Sequence, residues 1–429
     1  MDAYIRGTRV RLDPSQSIGK GGEADVYDIG GTVAAKIFKP PDHIDFEGLP
    51  AEQEGARRRI EEHQRKLREF PGNLPSEVIV PIDLVTNQSG STILGYTMRL
   101  VREAEVLQRY GDRPFREAGV SNETMTAILE NLHRAVLGVH ARGIVIGDFN
   151  DLNVLVLGDQ IYFIDADSFQ FGPYYCRLFT DRFVDPLLCD PNRTSLVLVK
   201  PHTQTSDWYA FAVMVMQSLL FVGPYGGVYA PKDVQKQVKR GERPLHRITV
   251  FHPEVRYPKP AVHFGMLPDE LLHHFHTVFE NDRREVFPHR LLEMRWTTCT
   301  VCGTMHARPV CPACAAVAPA AVKEVTVVRG TVTATRIFQT RGMIVFAAYQ
   351  GGLRWLYHES GAFKREDGSV VLTGERDPLL RFRICGDATL IGRGGRVVTF
   401  PFREQLAVDT YGSLPVFDAN EHARYWVQN

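Results

Sequence analysis

The 429-residue chain carries no excess of charge: 50 Lys and Arg face 50 Asp and Glu. Without a net field there is nothing to gather a phosphate backbone, so non-specific nucleic-acid binding is not expected, a local basic groove aside. Cysteine is scarce too, at seven residues, which rules out a disulfide-built scaffold. Four of the seven, Cys299, Cys302, Cys311 and Cys314, stand in two C-x2-C pairs; a reducing cytoplasmic setting with a metal site is the economical reading. Long apolar runs are missing. Tyr209 to Val222 is interrupted by Gln217 and Ser218 and falls short of the roughly 20 residues a membrane helix needs, so it reads as a buried core helix and no membrane partner is expected. Met1 to Val10 carry Arg6 and Arg9 but no apolar h-region, and no secretory signal is read there.

With 44% hydrophobic residues, the length implies two or three ordinary globular domains. Short β-type runs come first: Ser17 to Gly22, Asp25 to Ile29 and, after the Gly30-Gly31 turn, Thr32 to Phe38. Pro50 to Phe70 is highly charged, with Ala56, Ile60, Leu67 and Phe70 at helical spacing. Val78 to Val85 and Thr92 to Leu100 read as further strands. Asn122 to Arg142 is an amphipathic helix with Ser121 as N-cap and Gly143 as its stop. Val154 to Leu157 and Ile161 to Ile164 are short strands, and helices are expected from Asp207, Pro231 and Leu267 onward. An alanine- and proline-rich linker, Ala315 to Ala321, leads into Val322 to Asn429, where apolar and polar residues alternate between glycine turns.

Ile18-Gly19-Lys20-Gly21-Gly22-Glu23-Ala24-Asp25-Val26 is a glycine-rich turn between strands, able to bring backbone N–H groups close to a polyphosphate. On the next strand, in Val33-Ala34-Ala35-Lys36, a lysine among small residues can hold nucleotide phosphates. Most informative is Gly147-Asp148-Phe149-Asn150-Asp151-Leu152-Asn153, followed by Ile161-Tyr162-Phe163-Ile164-Asp165. An Asp, an Asn five residues later and a second Asp ending a short strand form the set that phosphoryl transfer needs. One carboxylate faces a substrate hydroxyl, and the amide and second carboxylate hold Mg2+.

On these motifs, residues 10 to 293 resemble the protein kinase family. The resemblance implies a two-lobed protein kinase-like fold with lobes at 1–101 and 102–295; with the cysteine pairs read as a zinc ribbon at 296–316 and the alternating tail as an all-β domain at 322–429, the chain is expected to be α+β. It implies Asp148 as the group orienting the hydroxyl, Asn153 and Asp165 as Mg2+ ligands and Lys36 on the phosphates. Ile18, Gly19, Lys20, Gly21, Gly22, Val26 and Ala34 would surround ATP. Asp207 resembles the aspartate that braces the catalytic loop, and Arg283 or Arg284 a late arginine of the large lobe. A helix glutamate should pair with Lys36; Glu52, Glu54, Glu61 and Glu62 all lie on the charged helix, and family spacing favours Glu61 and Glu62. More narrowly, Gly147-Asp148-Phe149-Asn150 with Asp165-Ala166-Asp167-Ser168 resembles bacterial kinase-like proteins with a C-terminal zinc ribbon. That group is associated with von Willebrand A-type and protein phosphatase 2C-like partners in tellurium-resistance-type gene neighbourhoods.

The chain departs from the family pattern. Ile146-Gly147 replaces His-Arg before the catalytic Asp, Ala166-Asp167 replaces Phe-Gly, and Ala24 replaces the third loop glycine. Asn150 stands where a lysine is usual, and Val184-Asp185-Pro186 is a poor substitute for Ala-Pro-Glu. The expected activity is atypical serine/threonine-type protein phosphorylation, with autophosphorylation included. The alternative is a pseudokinase scaffold that binds nucleotide and partners without turnover.

The two knuckles, Cys299-Thr300-Val301-Cys302-Gly303 and Cys311-Pro312-Ala313-Cys314, suit four thiolates around a structural Zn2+ with no open position. In the tail, Met343 to Phe346 before Gly351-Gly352-Leu353 echoes Ala388 to Ile391 before Gly394-Gly395-Arg396. The offset of about 43 residues suits a propeller blade, so the tail reads as a β-sandwich or a partial propeller.

Overall fold

Side-chain alternation organises the N-terminal sheet of this computed structural model, which describes residues 1–13, 15, 17–309, 311–317 and 337–428. Strands β1 (Asp2–Ile5), β2 (Thr8–Arg11), β3 (Ser17–Lys20), β4 (Ala24–Asp28), β5 (Val33–Phe38), β6 (Leu84–Thr86) and β7 (Ile93–Arg99) form one antiparallel sheet in the order β2-β1-β6-β7-β5-β4-β3. Successive residues of β5 point to opposite faces. Ala35 and Ile37 pack with Ala3, Leu12 and Val85; Ala34 and Phe38 pack with Leu67, Ile93, Tyr96 and Met98 beside helix α1 (Pro50–Lys66). Lys36 shares this second face, so its chain runs under α1 and not out to solvent.

The expected strand Val78 to Val85 is shorter, because Pro81 interrupts it and proline cannot donate to a ladder. Its first half does something else: Ile79 N donates to Phe163 O at 2.9 Å and Phe163 N to Glu77 O at 2.8 Å. This stitches the sheet's chain to the hairpin Val154–Leu157 and Gln160–Phe163.

The middle of the chain is helical. In Asn122–His140, Thr124 N donates to Ser121 Oγ at 3.1 Å, and Gly143 takes a positive φ of 73° where the chain turns away. Met125, Ile128, Leu129, Leu132, Val136 and Val139 form its buried face, at the spacing of a core-facing helix. It packs on Gln204–Leu220, the buried helix anticipated near Tyr209. Asp269–Phe279 completes the core. No helix begins at Pro231. That stretch forms only single turns, Val234–Lys236 and Arg240–Glu242, beside the buried Arg243, whose Nε donates to Ile248 O at 3.0 Å.

Two compact units divide the chain, Met1–Ala318 and Pro319–Asn429. Most of the predicted linker lies outside the described residues; its first part continues the short helix Pro312–Val317. The described residues of the second unit are all β: two four-stranded antiparallel sheets, Met343 to Thr373 and Arg381 to Ala407, then two small hairpins. The internal echo matches hairpins but not sheet positions. Met343–Tyr349 is the first strand of its sheet, whereas Ala388–Arg393 is the second of the other. Among the described residues, no helix is long and apolar enough to cross a membrane.

Candidate functional site

The glycine-rich turn joins β3 to β4, with Gly21 N donating to Ala24 O at 2.9 Å. A Cβ at Gly21 would stand 3.1 Å from that carbonyl, so any other residue would crowd the tight return. Lys39 Nζ donates to Gly21 O at 2.6 Å and to Asp45 Oδ2 at 2.5 Å. Glu23, at the tip, meets Arg59 of α1 at 2.5 Å. Burial raises the Glu23 carboxyl above its ordinary value against the opposing charges of Arg59 and Lys36. Ile18 and Lys20 are exposed on β3, Val26 is half-buried, and Ala34 is fully buried on β5.

Lys36 Nζ lies 2.7 Å from Asp167 Oδ1 and 3.1 Å from Asp165 Oδ1. Burial alone would lower this ammonium; the two carboxylates overcome it and raise its pKa. The expected helix glutamate is not its partner. Glu61 is exposed and Glu62 half-buried, and neither is in an ion pair with Lys36, because the residue of α1 facing this point is His63. Its Nε2 is 3.3 Å from Asp167 Oδ2. At 100° per residue, positions 61 and 62 are turned well off that face.

Asp148 and Asn153 share one tight loop. Asn153 Nδ2 donates to Asp148 O at 3.0 Å, and Ile164 N donates to Asn153 O at 3.0 Å, which sets Asn153 beside the strand end carrying Asp165. The Asn153 Nδ2 group is thus used on the loop, leaving its amide oxygen for a cation. Asn150 is buried: its Nδ2 donates to Asp148 O and its Oδ1 accepts from Leu152 N and Asn153 N. It closes the loop, and its side chain is spent there. Asp165 is left-handed, φ 60° and ψ 33°, with its side chain 43% exposed. Strain of this kind in a non-glycine residue concentrates at functional sites.

Burial raises the Asp148 carboxyl above its usual range, while hydrogen bonds from Thr180 and Asn150 oppose the rise. The Thr180 hydroxyl donates to Asp148 Oδ1 at 3.0 Å. Under this loop, Asp207 Oδ2 accepts from Ile146 N at 2.8 Å and Oδ1 from Gly147 N at 3.0 Å, with His140 Nε2 also 2.8 Å from Oδ2. Sequence reasoning placed Asp207 here but missed His63, Asp167, Thr180 and Tyr96, whose hydroxyl donates to Asp167 Oδ1 at 2.5 Å. For Asp167 the available signal was the acid replacing a glycine two residues after Asp165. For Thr180 there was none, since its partner is 32 residues away.

The four cysteines converge separately, with all four Sγ atoms within 4.8 Å of one another. Cys299 Sγ to Cys314 Sγ is 3.7 Å and Cys302 Sγ to Cys311 Sγ is 3.6 Å. A tetrahedral zinc with Zn–S near 2.3 Å requires sulfur separations of about 3.8 Å, so the donor set fits that ion. Gly303, at φ 72°, returns its N–H to Cys299 O at 2.9 Å to form the first knuckle.

Over 338 residues the chain is 24% identical to "Protein kinase YegI" of Escherichia coli O157:H7, an alignment covering 71% of this chain and 49% of that protein. The chain thus spans about half the length of this curated relative. No protein-family model matches the chain.

Proposed function

We propose that the chain is a kinase-type phosphotransferase, dependent on ATP and Mg2+, that phosphorylates serine or threonine hydroxyls of a protein, itself included. Residues 1–101 and 102–295 would be the two lobes, 296–316 a zinc ribbon, and 322–429 a β domain that engages partner proteins such as von Willebrand A-type or phosphatase 2C-like chains. The single observation that carries this reading is the convergence of Asp148, Asn153, Asp165 and Lys36 on one loop and strand end. The relative named as a protein kinase supports the same class.

In this reading the backbone turn from Ile18 to Gly22 covers the nucleotide, Lys36 holds its phosphates, and Asn153 and Asp165 hold Mg2+. The ion, when bound, offsets phosphate charge. Asp148 orients the acceptor hydroxyl and takes its proton as the oxygen–phosphorus bond forms and ADP leaves. Its raised affinity for a proton suits an acceptor. Thr180 already donates to Asp148 Oδ1 and marks where an incoming hydroxyl would lie.

The inward-turned Asn150 favours the scaffold alternative, since no cation reaches the transferred phosphoryl group from that position. The test is incubation with labelled ATP and Mg2+, alone and with candidate partners, beside Asp148→Asn and Asp165→Ala. Phosphate transfer by the wild type, lost in Asp148→Asn with ATP binding kept, is the expected result. ATP binding by the wild type with no transfer to itself or any partner would establish the scaffold instead.

A further inference from the structure

Two carboxylates stand on one turn below Lys36, and they are used differently. The turn Ala166–Ser168 is tightly closed: Ser168 N and Oγ both donate to Asp165 O, at 2.9 and 2.8 Å, and Phe169 N donates to Ala166 O at 3.0 Å. Ala166 and Phe169 are anchored in the main core. Asp165 keeps a side chain open to the cleft, whereas the Asp167 side chain is only 7% exposed. Every contact of Asp167 is internal to the site. Its Oδ1 accepts from Lys36 Nζ at 2.7 Å and from the Tyr96 hydroxyl at 2.5 Å; its Oδ2 faces His63 Nε2 at 3.3 Å. Phe38, whose ring is 4.6 Å from that of His63, walls the group off.

The consequences follow from geometry. A buried carboxylate is tolerated only when its charge is paired and its oxygens are hydrogen-bonded, and here Lys36, Tyr96 and His63 do both. Asp165 shares the lysine, with Oδ1 3.1 Å from Nζ, and its 43% exposed side chain leaves oxygen for a cation. Helix α1 contributes an imidazole where a carboxylate was expected, and His63 Nδ1 is itself tied to Arg59 O at 2.7 Å.

Resting on the reading of Lys36 as the phosphate-holding lysine, we infer that Asp167 is its positioning residue, so that the lysine is set by the 166–168 turn and not by a glutamate on α1. Assembly of the phosphate site then follows the strand end that carries Asp165, and the acidic residues of α1 are not part of it.

The test uses the full chain. Chemical unfolding of Lys36→Met, Asp167→Asn and the double variant should show strong coupling between positions 36 and 167. The parallel cycles of Lys36→Met with Glu61→Gln and with Glu62→Gln should show none. By calorimetry with ATP and Mg2+, Asp167→Asn should weaken binding about tenfold, the scale of a lost charged hydrogen bond. Phosphate transfer should fall about 100-fold through misplacement of the lysine. Asp167→Asn/His63→Glu, which returns a carboxylate from the helix, should regain much of the lost ATP affinity, a response that general damage to the fold would not give. Wild-type ATP affinity in Asp167→Asn, or coupling of Lys36 to Glu61 or Glu62 in place of Asp167, overturns the inference. If the wild type transfers no phosphate, the proposed activity fails while the unfolding cycle and the ATP affinities still decide the role of Asp167. If Asp167→Asn does not fold, recovery of folding in Lys36→Met/Asp167→Asn supports the pairing, and an equally unfolded double variant overturns it.

Discussion

Asp185 and Arg284 meet in a bidentate ion pair, Nε to Oδ2 at 2.6 Å and Nη2 to Oδ1 at 2.8 Å, with side chains only 3% and 9% exposed. The guanidinium also lies 4.6 Å from the centre of the Tyr209 ring. Asp185 Oδ1 accepts from Leu187 N as well, at 3.0 Å, so one carboxylate closes its own turn and docks the segment on the helical core. Val184-Asp185-Pro186 is therefore a firmer closure than its departure from the family motif implied. Arg284→Ala should cost about 3–5 kcal/mol, the scale for stranding one partner of a buried pair. Asp185→Ala should cost a similar amount and the double variant less than the sum. Urea unfolding of the three variants measures this.

Gly147 is required by its surroundings. It sits at φ 82°, and a Cβ there would stand 2.6 Å from Cys176 Cβ and 2.9 Å from its Sγ. Gly147→Ala should lose about 1–2 kcal/mol to left-handed backbone strain and about 1–3 kcal/mol more to overpacking. Cys176→Gly in the same background should return the overpacking part alone, as read by thermal unfolding. Gly147→Arg, which restores the family residue, should yield less folded protein and no gain in transfer.

In the proposed reaction, Asp148 would link activity to pH. Accepting a proton requires the carboxylate, so transfer should rise with pH through a midpoint above the ordinary 3.8. Thr180→Val removes a hydrogen bond that favours the charged form, and the acid limb of the rate profile should move to higher pH. The stability effect has the opposite sense to that of a salt-bridged aspartate. Because the folded state binds this proton more tightly than the unfolded state, the penalty is absent below the unfolded pKa. It grows as pH rises toward the raised folded value and is complete above it. Asp148→Asn should accordingly be more stable than the wild type at pH 7, with the difference closing in acid, while transfer is lost. Denaturant midpoints across pH check the sign.

What could be read in advance follows contact range. The Asp148 to Asn153 loop and the hairpin before Asp165 are local, and their spacing alone places the groups together. The Ser121 cap, the Gly143 stop and the buried helix around Tyr209 are equally local patterns. Lys36 with Asp167 spans 131 residues and Asp185 with Arg284 spans 99; such partners are chosen by packing, which spacing does not encode. On α1 family spacing favours Glu61 and Glu62, but the inward face at this point carries His63. Pro231 carries a helix-start signal, yet only the single turns Val234–Lys236 and Arg240–Glu242 form behind it.

The cysteine cluster should be separable from the proposed nucleotide site. Its knuckles are held to the helical core by Ala307 N, which donates to Met266 O at 2.9 Å, and by Asn122 Nδ2, 2.8 Å from Met305 Sδ. Neither contact involves the loop of Asp148 or the strand of Lys36. Purified chain should hold one zinc per molecule by elemental analysis. Thiolate ligation stabilises only the folded knuckles, so metal binding is coupled to their folding. Chelation or Cys302→Ser should release the metal and lower the unfolding midpoint, while ATP affinity stays near the wild-type value because Lys36, Asn153 and Asp165 are set by other elements. Metal-free protein with an unchanged midpoint would show that the four thiols are not a structural site. Loss of ATP binding on chelation, with the rest still folded, would show that the cysteine cluster supports the cleft more directly than these contacts indicate.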